Sequence, residues 1–281
     1  MAALTGLERV SGTVTRRPKA WRGVVFTLAA AYFLVPLGTS VWYTIYTPTA
    51  GVSLSAYGEL LTADGFVRSL SLSLGLAMAT IAVVLLLALP AMLAVRLFAP
   101  GLRVVMEVLC TLPLVVPPIT FVAGIGTSLR NGTEVLAPTP FWATLIAVQD
   151  PVFPVVLVLA YVVLVLPFVY RSLDAGLRTM DVRTLVEAAR NLGASWPYVL
   201  VRVIVPNLRS ALASASFLTL ALVLGEYTVA SLLGYEPFAV WIVTVSGSKG
   251  QLSVAVSILS LLLIWLLLLA VSTVFGRKKG K

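Results

Sequence analysis

Long apolar stretches, each about as long as a bilayer-spanning helix, constrain this chain more than any other feature. A helix needs about 20 mostly apolar residues to cross a membrane, and six segments meet that requirement. They are Val24–Tyr46, Ser69–Val95, Val104–Ser128, Val152–Tyr170, Ala211–Leu233 and Leu252–Phe275. Hydrophobic residues make up 59% of the chain and charged residues 11%, against about 45–50% and about 25% in soluble domains. The sequence therefore predicts an all-α membrane protein with six transmembrane helices.

Basic residues are concentrated in alternate loops. If the N-terminus is cytoplasmic, 17 of the 20 Lys and Arg residues lie in cytoplasmic segments, as the positive-inside rule requires. Both termini and the loop between the fourth and fifth spans are therefore predicted to face the cytoplasm. The predicted organisation is a cytoplasmic tail of residues 1–23, a six-helix domain of residues 24–275 and a basic cytoplasmic tail of residues 276–281.

The composition also disfavours several functional classes. The chain has no histidine and a single cysteine, Cys110, so we predict no metal site, no internal disulfide and no cofactor. A membrane-embedded enzyme is disfavoured because the spans carry no pair of carboxylates. The net charge of +9 follows the membrane topology, and no nucleic-acid partner is predicted. The sequence lacks the phosphate-binding loop G-x-x-x-x-G-K-[ST], so ATP hydrolysis would require another subunit.

One polar segment, Asp181–Pro206, separates the fourth and fifth spans. Its first half has the spacing of an amphipathic helix. The predicted apolar face consists of Leu185, Ala188, Ala189 and Leu192. Gly193 is placed to end this helix, and Ser195 and Pro197 are typical of the start of the next one. The segment therefore predicts a short helix–turn–helix that ends near Pro206 and is too polar to lie in lipid.

The same segment contains a recognisable motif. Glu187-Ala188-Ala189 is followed by Gly193 and then by Ile204-Val205-Pro206. This pattern resembles the EAA motif of the membrane subunits of binding-protein-dependent ABC importers, the MetI-like permeases. Val205 stands where the family often has leucine. The alternative interpretation is an amphipathic cytoplasmic loop of an unrelated transporter.

The resemblance implies a function for the loop and a set of partners. In the family, the EAA loop is a coupling helix that lies in a groove of the ATPase. The coupling residues it implies are Glu187, Ala188, Ala189, Arg190, Gly193 and Pro206, in a coupling loop of residues 171–208. The implied partners are a dimer of ATP-binding cassette subunits, a second permease subunit and an extracytoplasmic solute-binding protein. The chain itself would be a non-catalytic, multi-pass subunit in the bilayer of the bacterial plasma membrane, forming half of a translocation pathway.

Two further sequences resemble the spermidine/putrescine-type branch of the family. The first is the run from Leu112 to Pro118, which predicts a bent third span; it makes Pro117 and Pro118 pathway candidates. The second is Gly225-Glu226-Tyr227, which makes Glu226 and Tyr227 pathway candidates because a carboxylate within a span is costly. The alternatives are a plain proline kink and a structural hydrogen bond from Glu226.

The substrate class implied by this branch is a polyamine. Iron(III), thiamine and aminoalkylphosphonate importers share much of the pattern and stay open as alternatives. A stand-alone secondary transporter is a different class, and it would show paired intramembrane charges or inverted repeats. Glu107, the other acid near a span, is predicted to pair with Arg103, one helical turn away.

Overall fold

A computed structural model describes residues 19–47, 51–60 and 62–276. The remaining parts of both tails, with Arg9, Arg16, Arg17 and the basic cluster at residues 277–281, lie outside the described residues. The chain divides into two units, Met1–Ser53 and Leu54–Lys281.

The first unit contains one long helix and a small hairpin. Helix α1 (Lys19–Ile45) includes Pro36, and the hydroxyls of Thr39 and Ser40 donate to the Pro36 carbonyl at 2.9 and 2.7 Å. Strands β1 (Tyr46–Thr47) and β2 (Gly51–Val52) pair antiparallel.

All the described secondary-structure elements of the second unit are helices, joined by turns and short connections. Its helices are α2 (Ser55–Gly58), α3 (Phe66–Phe98), α4 (Arg103–Thr111), α5 (Pro118–Leu136), α6 (Phe141–Val148), α7 (Val155–Arg178), α8 (Val182–Asn191), α9 (Trp196–Tyr198), α10 (Val205–Asn207), α11 (Arg209–Gly225), α12 (Thr228–Leu232), α13 (Phe238–Ser246) and α14 (Gly250–Gly276). Two 3₁₀ turns, Pro100–Leu102 and Leu112–Leu114, flank α4, and the π-helical segment Val199–Ile204 joins α9 to α10.

Helices α3, α7 and α11 form the centre of the second unit. Small side chains recur on the buried face of α3, at Ser69, Ser73, Ala77 and Thr80, and small residues let membrane helices approach closely. Ser73 accepts a hydrogen bond of 2.7 Å from the backbone N–H of Phe238 in α13. Helices α7 and α11 also approach closely. A Cβ built on Gly176 of α7 would lie only 2.5 Å from the Cβ of Ala211 in α11, so this position requires glycine.

A second, smaller cluster joins the segment after α2 to α13 and α14. Leu60, Phe238, Trp241, Leu252 and Val256 are its buried members. The Trp241 indole N–H donates to the Asp64 carbonyl at 2.9 Å, and Lys249 pairs with Glu59 at 3.2 Å. These bonds hold the connection before α3 against α13 and the start of α14.

The third predicted span is broken, as its prolines indicate. The segments Pro100–Leu114 and Pro118–Leu136 meet at 97°. Pro117 is the N-cap residue of α5 and Pro118 its first residue, where the missing N–H of proline costs no hydrogen bond. The predicted bend is therefore confirmed.

The fifth predicted span, Ala211–Leu233, is wrong as a continuous helix. Helix α11 ends at Gly225, Glu226 has an extended backbone (φ −78°, ψ 120°), and α12 begins at Thr228. The reason is that the Glu226 carboxylate turns back to cap α12, a contact that apolar periodicity cannot show.

By length and composition, three described helices are long and apolar enough to cross a membrane: Trp21–Ile45, Phe66–Phe98 and Val155–Arg178. The number rises to five if each of two bent helix pairs is one span, and α14 contributes the shorter apolar helix Gly250–Leu266. The predicted fold class, an all-α membrane protein with several spans, is confirmed. The orientation of its termini stays a prediction.

Candidate functional site

The predicted coupling segment folds as two helical arms joined by a tight turn. Helix α7 continues to Arg178, so residues 171–178 belong to that helix rather than to the loop. The Asp181 carboxylate caps α8 by accepting from the Thr184 backbone N–H at 3.2 Å and from its hydroxyl at 2.7 Å. These bonds to the charged form lower the pKa of Asp181.

The face of α8 that packs against the bundle differs from the predicted one. Val182 and Val186 are buried, and Ala189 packs against the same core. The predicted face was wrong at Ala188, which is exposed, and at Leu192, which is 89% exposed. Val182 and Val186 lie one helical turn apart and belong to the same buried cluster as residues of α3 and α7.

The opposite face of α8 is open. Glu187 and Ala188 are exposed there, and Leu192 follows at the end of the helix. Glu187 pairs with Arg183 at 2.9 Å, and both side chains remain well exposed. We call Glu187, Ala188 and Leu192 the exposed face of α8.

Gly193 makes the turn after α8, as predicted. Its φ of +82° is left-handed, which glycine adopts without steric cost. The Gly193 N–H bonds the Arg190 carbonyl at 2.9 Å and the Ala194 N–H bonds the Ala189 carbonyl at 3.1 Å. This pair of bonds is the Schellman arrangement that closes a helix end.

Arg190 fastens the turn from outside. Its guanidinium donates to the Ala194 carbonyl at 2.8 Å and lies 5.4 Å from the centre of the Trp196 ring. Trp196 in turn packs edge-on against Phe98, the last residue of α3, at 5.5 Å. Arg190 therefore holds the two arms together, a role that its place beside the EAA triplet did not indicate.

The second arm runs over Trp196–Asn207 and bends by 81° into α11. Ser195 has the extended backbone of an N-cap residue but makes no side-chain capping bond. The middle of the arm is π-helical, with the Val205 N–H bonded to the Leu200 carbonyl. Pro206 has no N–H and crowds the carbonyl one turn before it, so a wider turn ahead of Pro206 relieves the crowding.

The two arms and α3 line a partly open apolar cavity of about 350 Å³. Leu93, Leu97 and Phe98 of α3 line one side, and Val186, Trp196 and Leu200 of the arms line the other. Val199 and Ile204 are 1% exposed. Because both arms are anchored by buried side chains, the segment is mechanically tied to the bundle.

The four pathway candidates lie at the two helix breaks. Pro117 and Pro118 are exposed at the start of α5. The Glu226 carboxylate accepts from the backbone N–H groups of Val229 and Ala230 at 2.7 and 3.2 Å. Tyr227 is 41% exposed. The geometry of Glu226 is that of a structural hydrogen bond, the alternative left open by the sequence.

An ionic cluster beside the loop was missed by sequence reasoning. Asp174 of α7 pairs with Arg178 at 2.6 Å and with Arg103 of α4 at 3.5 Å. Within the described part of the chain, Arg103 makes its ion pair with Asp174 and none with Glu107, so the predicted Arg103–Glu107 pair is wrong. The Asp174–Arg178 spacing of four was the signal available in the sequence. Among described residues, no group of three or more His, Cys, Asp or Glu side chains could hold a metal ion.

Fold and loop together define a membrane subunit of a transport system, with bent apolar helices and a structured polar loop. The chain belongs to the family of binding-protein-dependent transport system inner membrane components, whose model matches residues 101–280. The fold is similar to that of a bacterial ABC transporter involved in the import of the acidic polysaccharide alginate. That crystal structure matches with a TM-score of 0.62 and 13% identity, over 94% of this chain and 100% of the other. A search of curated proteins found no match.

Proposed function

We propose that this chain is the permease subunit of an ATP-driven importer in the bacterial plasma membrane and forms half of its pathway. A second permease subunit, identical or paralogous, completes the pathway. An extracytoplasmic binding protein delivers the solute, and a dimer of ATP-binding cassette subunits supplies the free energy. The observation that carries the proposal is the exposed face of α8, presented on a loop tied to the bundle.

The exposed face of α8 has the features of a docking surface for the ATPase. Ala188 is small and lets a partner approach the helix closely, while Leu192 offers an apolar contact of 89% exposure. Glu187 adds a carboxylate whose partner in the chain, Arg183, is itself exposed. An exposed ion pair contributes little to stability, so Glu187 is free to exchange Arg183 for a group on the ATPase.

The buried face of α8 and the second arm connect the loop mechanically to the bundle. Val186 is buried against the bundle, and the Trp196 contact with Phe98 joins the second arm to α3. Closure of the ATPases would therefore move α3 and α11 together with the loop, and this is the two-state element that ATP biases.

The docking proposal is tested by charge reversal. We expect Glu187→Arg to reduce the amount of ATPase that co-purifies with the full chain by about tenfold, as a misplaced charge at an interface does. Glu236→Arg is the matched control, because Glu236 is an exposed acid in the connection between α12 and α13. Unchanged ATPase recovery and uptake with Glu187→Arg would refute the docking role. A reporter fused after Arg190 tests the orientation, and an extracytoplasmic reporter would overturn it.

We propose a polyamine of the spermidine or putrescine type as the solute. Support comes from the Pro117-Pro118 and Gly225-Glu226-Tyr227 sequences. Import of alginate is a property of the similar structure, and at 13% identity that likeness concerns the fold.

The substrate proposal is tested with the binding protein that co-purifies with the chain. We expect it to bind spermidine or putrescine in preference to iron(III), thiamine, an aminoalkylphosphonate and alginate oligosaccharides. Preference for any other solute would refute the polyamine assignment and leave the importer class standing. Uptake into liposomes by the chain alone, without ATP, would overturn the importer class itself in favour of a secondary transporter.

A further inference from the structure

A cavity with mostly apolar walls and a few charged side chains lies beside the Asp174 cluster, on the same side of the bundle as the coupling loop. Its volume is about 110 Å³. Arg96, Arg103, Tyr170 and Asp174 contribute the polar lining, and Met92 and Met106 contribute apolar walls. The volume exceeds the roughly 10–15 Å³ that a cavity needs to hold one water, so a small polar group fits within it.

One nitrogen at this cavity has no acceptor. The Nη1 atom of Arg96 is enclosed, and no described residue bonds to it. An enclosed guanidinium nitrogen without an acceptor is costly, since hydrogen bonds to charged groups are among the stronger ones in proteins. The arrangement therefore calls for an acceptor that the described chain does not supply.

The acid that lines the cavity is already neutralised. Asp174 accepts from Arg178 through Nε at 2.7 Å and faces Arg103 at 3.5 Å. Glu107 lies within electrostatic range of Tyr170 and Arg178 but does not line the cavity. Of the two guanidinium groups that line the cavity, Arg103 is paired with Asp174, whereas Arg96 makes no ion pair with a described residue.

We propose that this cavity binds a phosphate group, supplied by the headgroup of an anionic phospholipid. A phosphate offers several acceptor oxygens, which match the enclosed nitrogen of Arg96 and the half-exposed guanidinium of Arg103. Basic pockets between membrane helices on the cytoplasmic side are suited to anionic headgroups, and the basic residues of this chain are concentrated on that predicted side.

The bound phosphate would link three helices next to the coupling loop. Arg96 lies near the end of α3, Arg103 begins α4, and Asp174 is in the last turns of α7, which leads into the loop. A ligand at this point would bias the position of α3 and α7 relative to each other and so tune how the loop moves.

The test is lipid binding to the purified full chain in detergent, measured by native mass spectrometry. The probes are phosphatidylglycerol, diacylglycerol, which lacks the phosphate, and inorganic phosphate. We expect Arg96→Gln to weaken phosphatidylglycerol binding by about tenfold, the usual scale for losing one charged hydrogen bond. Arg171→Gln is the matched control, since Arg171 is an exposed arginine of α7, the helix that carries Asp174, and it does not line the cavity. This variant should bind phosphatidylglycerol as the unaltered chain does.

The outcomes separate the sources of the phosphate. Arg96-dependent binding of phosphatidylglycerol, with none of diacylglycerol, supports the lipid headgroup. Arg96-dependent binding of inorganic phosphate alone supports the site and overturns the lipid source. A second variant, Met106→Phe, keeps every charge and narrows the cavity, so the site can be tested even if Arg96→Gln fails to fold. Phosphatidylglycerol and phosphate binding that neither variant changes would overturn the proposal.

Discussion

Two helices of this chain, α8 and α11, end at or just before a glycine, and different groups satisfy the backbone at the two breaks. At Gly193 the backbone makes the break, with a left-handed glycine and two backbone hydrogen bonds. At Gly225 a side chain makes it, because the Glu226 carboxylate takes up the N–H groups of Val229 and Ala230. Water is available to an exposed loop but not within a membrane segment, where every backbone group needs an internal partner. The comparison teaches that a half-buried acid in an apolar segment can serve to satisfy the backbone N–H groups of the next helix.

The largest expected effect is at the side-chain break. Replacement Glu226→Ala would leave the N–H groups of Val229 and Ala230 unpaired, and both residues are fully buried. At about 1–3 kcal/mol for each of the two unsatisfied groups, we expect a loss of about 2–6 kcal/mol in the free energy of unfolding. Thermal unfolding of the full chain in detergent measures the change.

The matched variant is Glu226→Gln, which keeps an acceptor oxygen and loses the charge. We expect Glu226→Gln to lose less than half as much free energy of unfolding as Glu226→Ala. Uptake should be unchanged if Glu226 acts only as a cap. Loss of uptake with normal stability in Glu226→Gln would contradict the structural role and restore Glu226 to the pathway.

The backbone break gives the next largest effect. Replacement Gly193→Val forces a β-branched residue to a φ of +82°, which costs about 1–3 kcal/mol. Space does not limit the change, because no heavy atom lies within 4 Å of a Cβ built there. Opening of the loop should therefore increase, as measured by amide hydrogen exchange at position 193 and at Ala194.

Gly193→Asn is the control, since asparagine tolerates the left-handed region better than valine. We expect ATPase recovery to follow the order Gly, Asn, Val at this position. Equal loop protection in the Val and Asn variants would mean that the conformation of residue 193 does not hold the turn.

These residues show which features of the loop can be predicted from the sequence alone. The turn was predictable, because Gly193 acts through its own backbone and its spacing from the EAA triplet is local. The buried face of α8 was not predictable, because the burial of Val182 and Val186 depends on the helices that pack against α8. The partner of Arg103 was also beyond reach, because Asp174 is 71 residues away in the chain. Periodicity identifies apolar residues, and only the packing decides which of them are covered.

The smallest expected effect concerns the start of α8, where side chain and backbone act together. Bonds from the Thr184 hydroxyl and N–H lower the pKa of Asp181 in the folded chain. A carboxyl whose folded pKa is depressed stabilises the fold above its unfolded pKa of about 3.9, and this contribution is lost as the pH falls through the folded pKa. Protection of the Thr184 amide, corrected for intrinsic exchange, should therefore decrease on acidification below about pH 4.

Asp181→Asn keeps a capping oxygen without a titrating group, so its corrected protection should be flat over the same range. Thr184→Val removes the hydroxyl donor and should move the transition to higher pH. If the unaltered chain and Asp181→Asn show the same pH dependence, the Asp181 cap is not the group that titrates, and its carboxylate does not hold the start of α8.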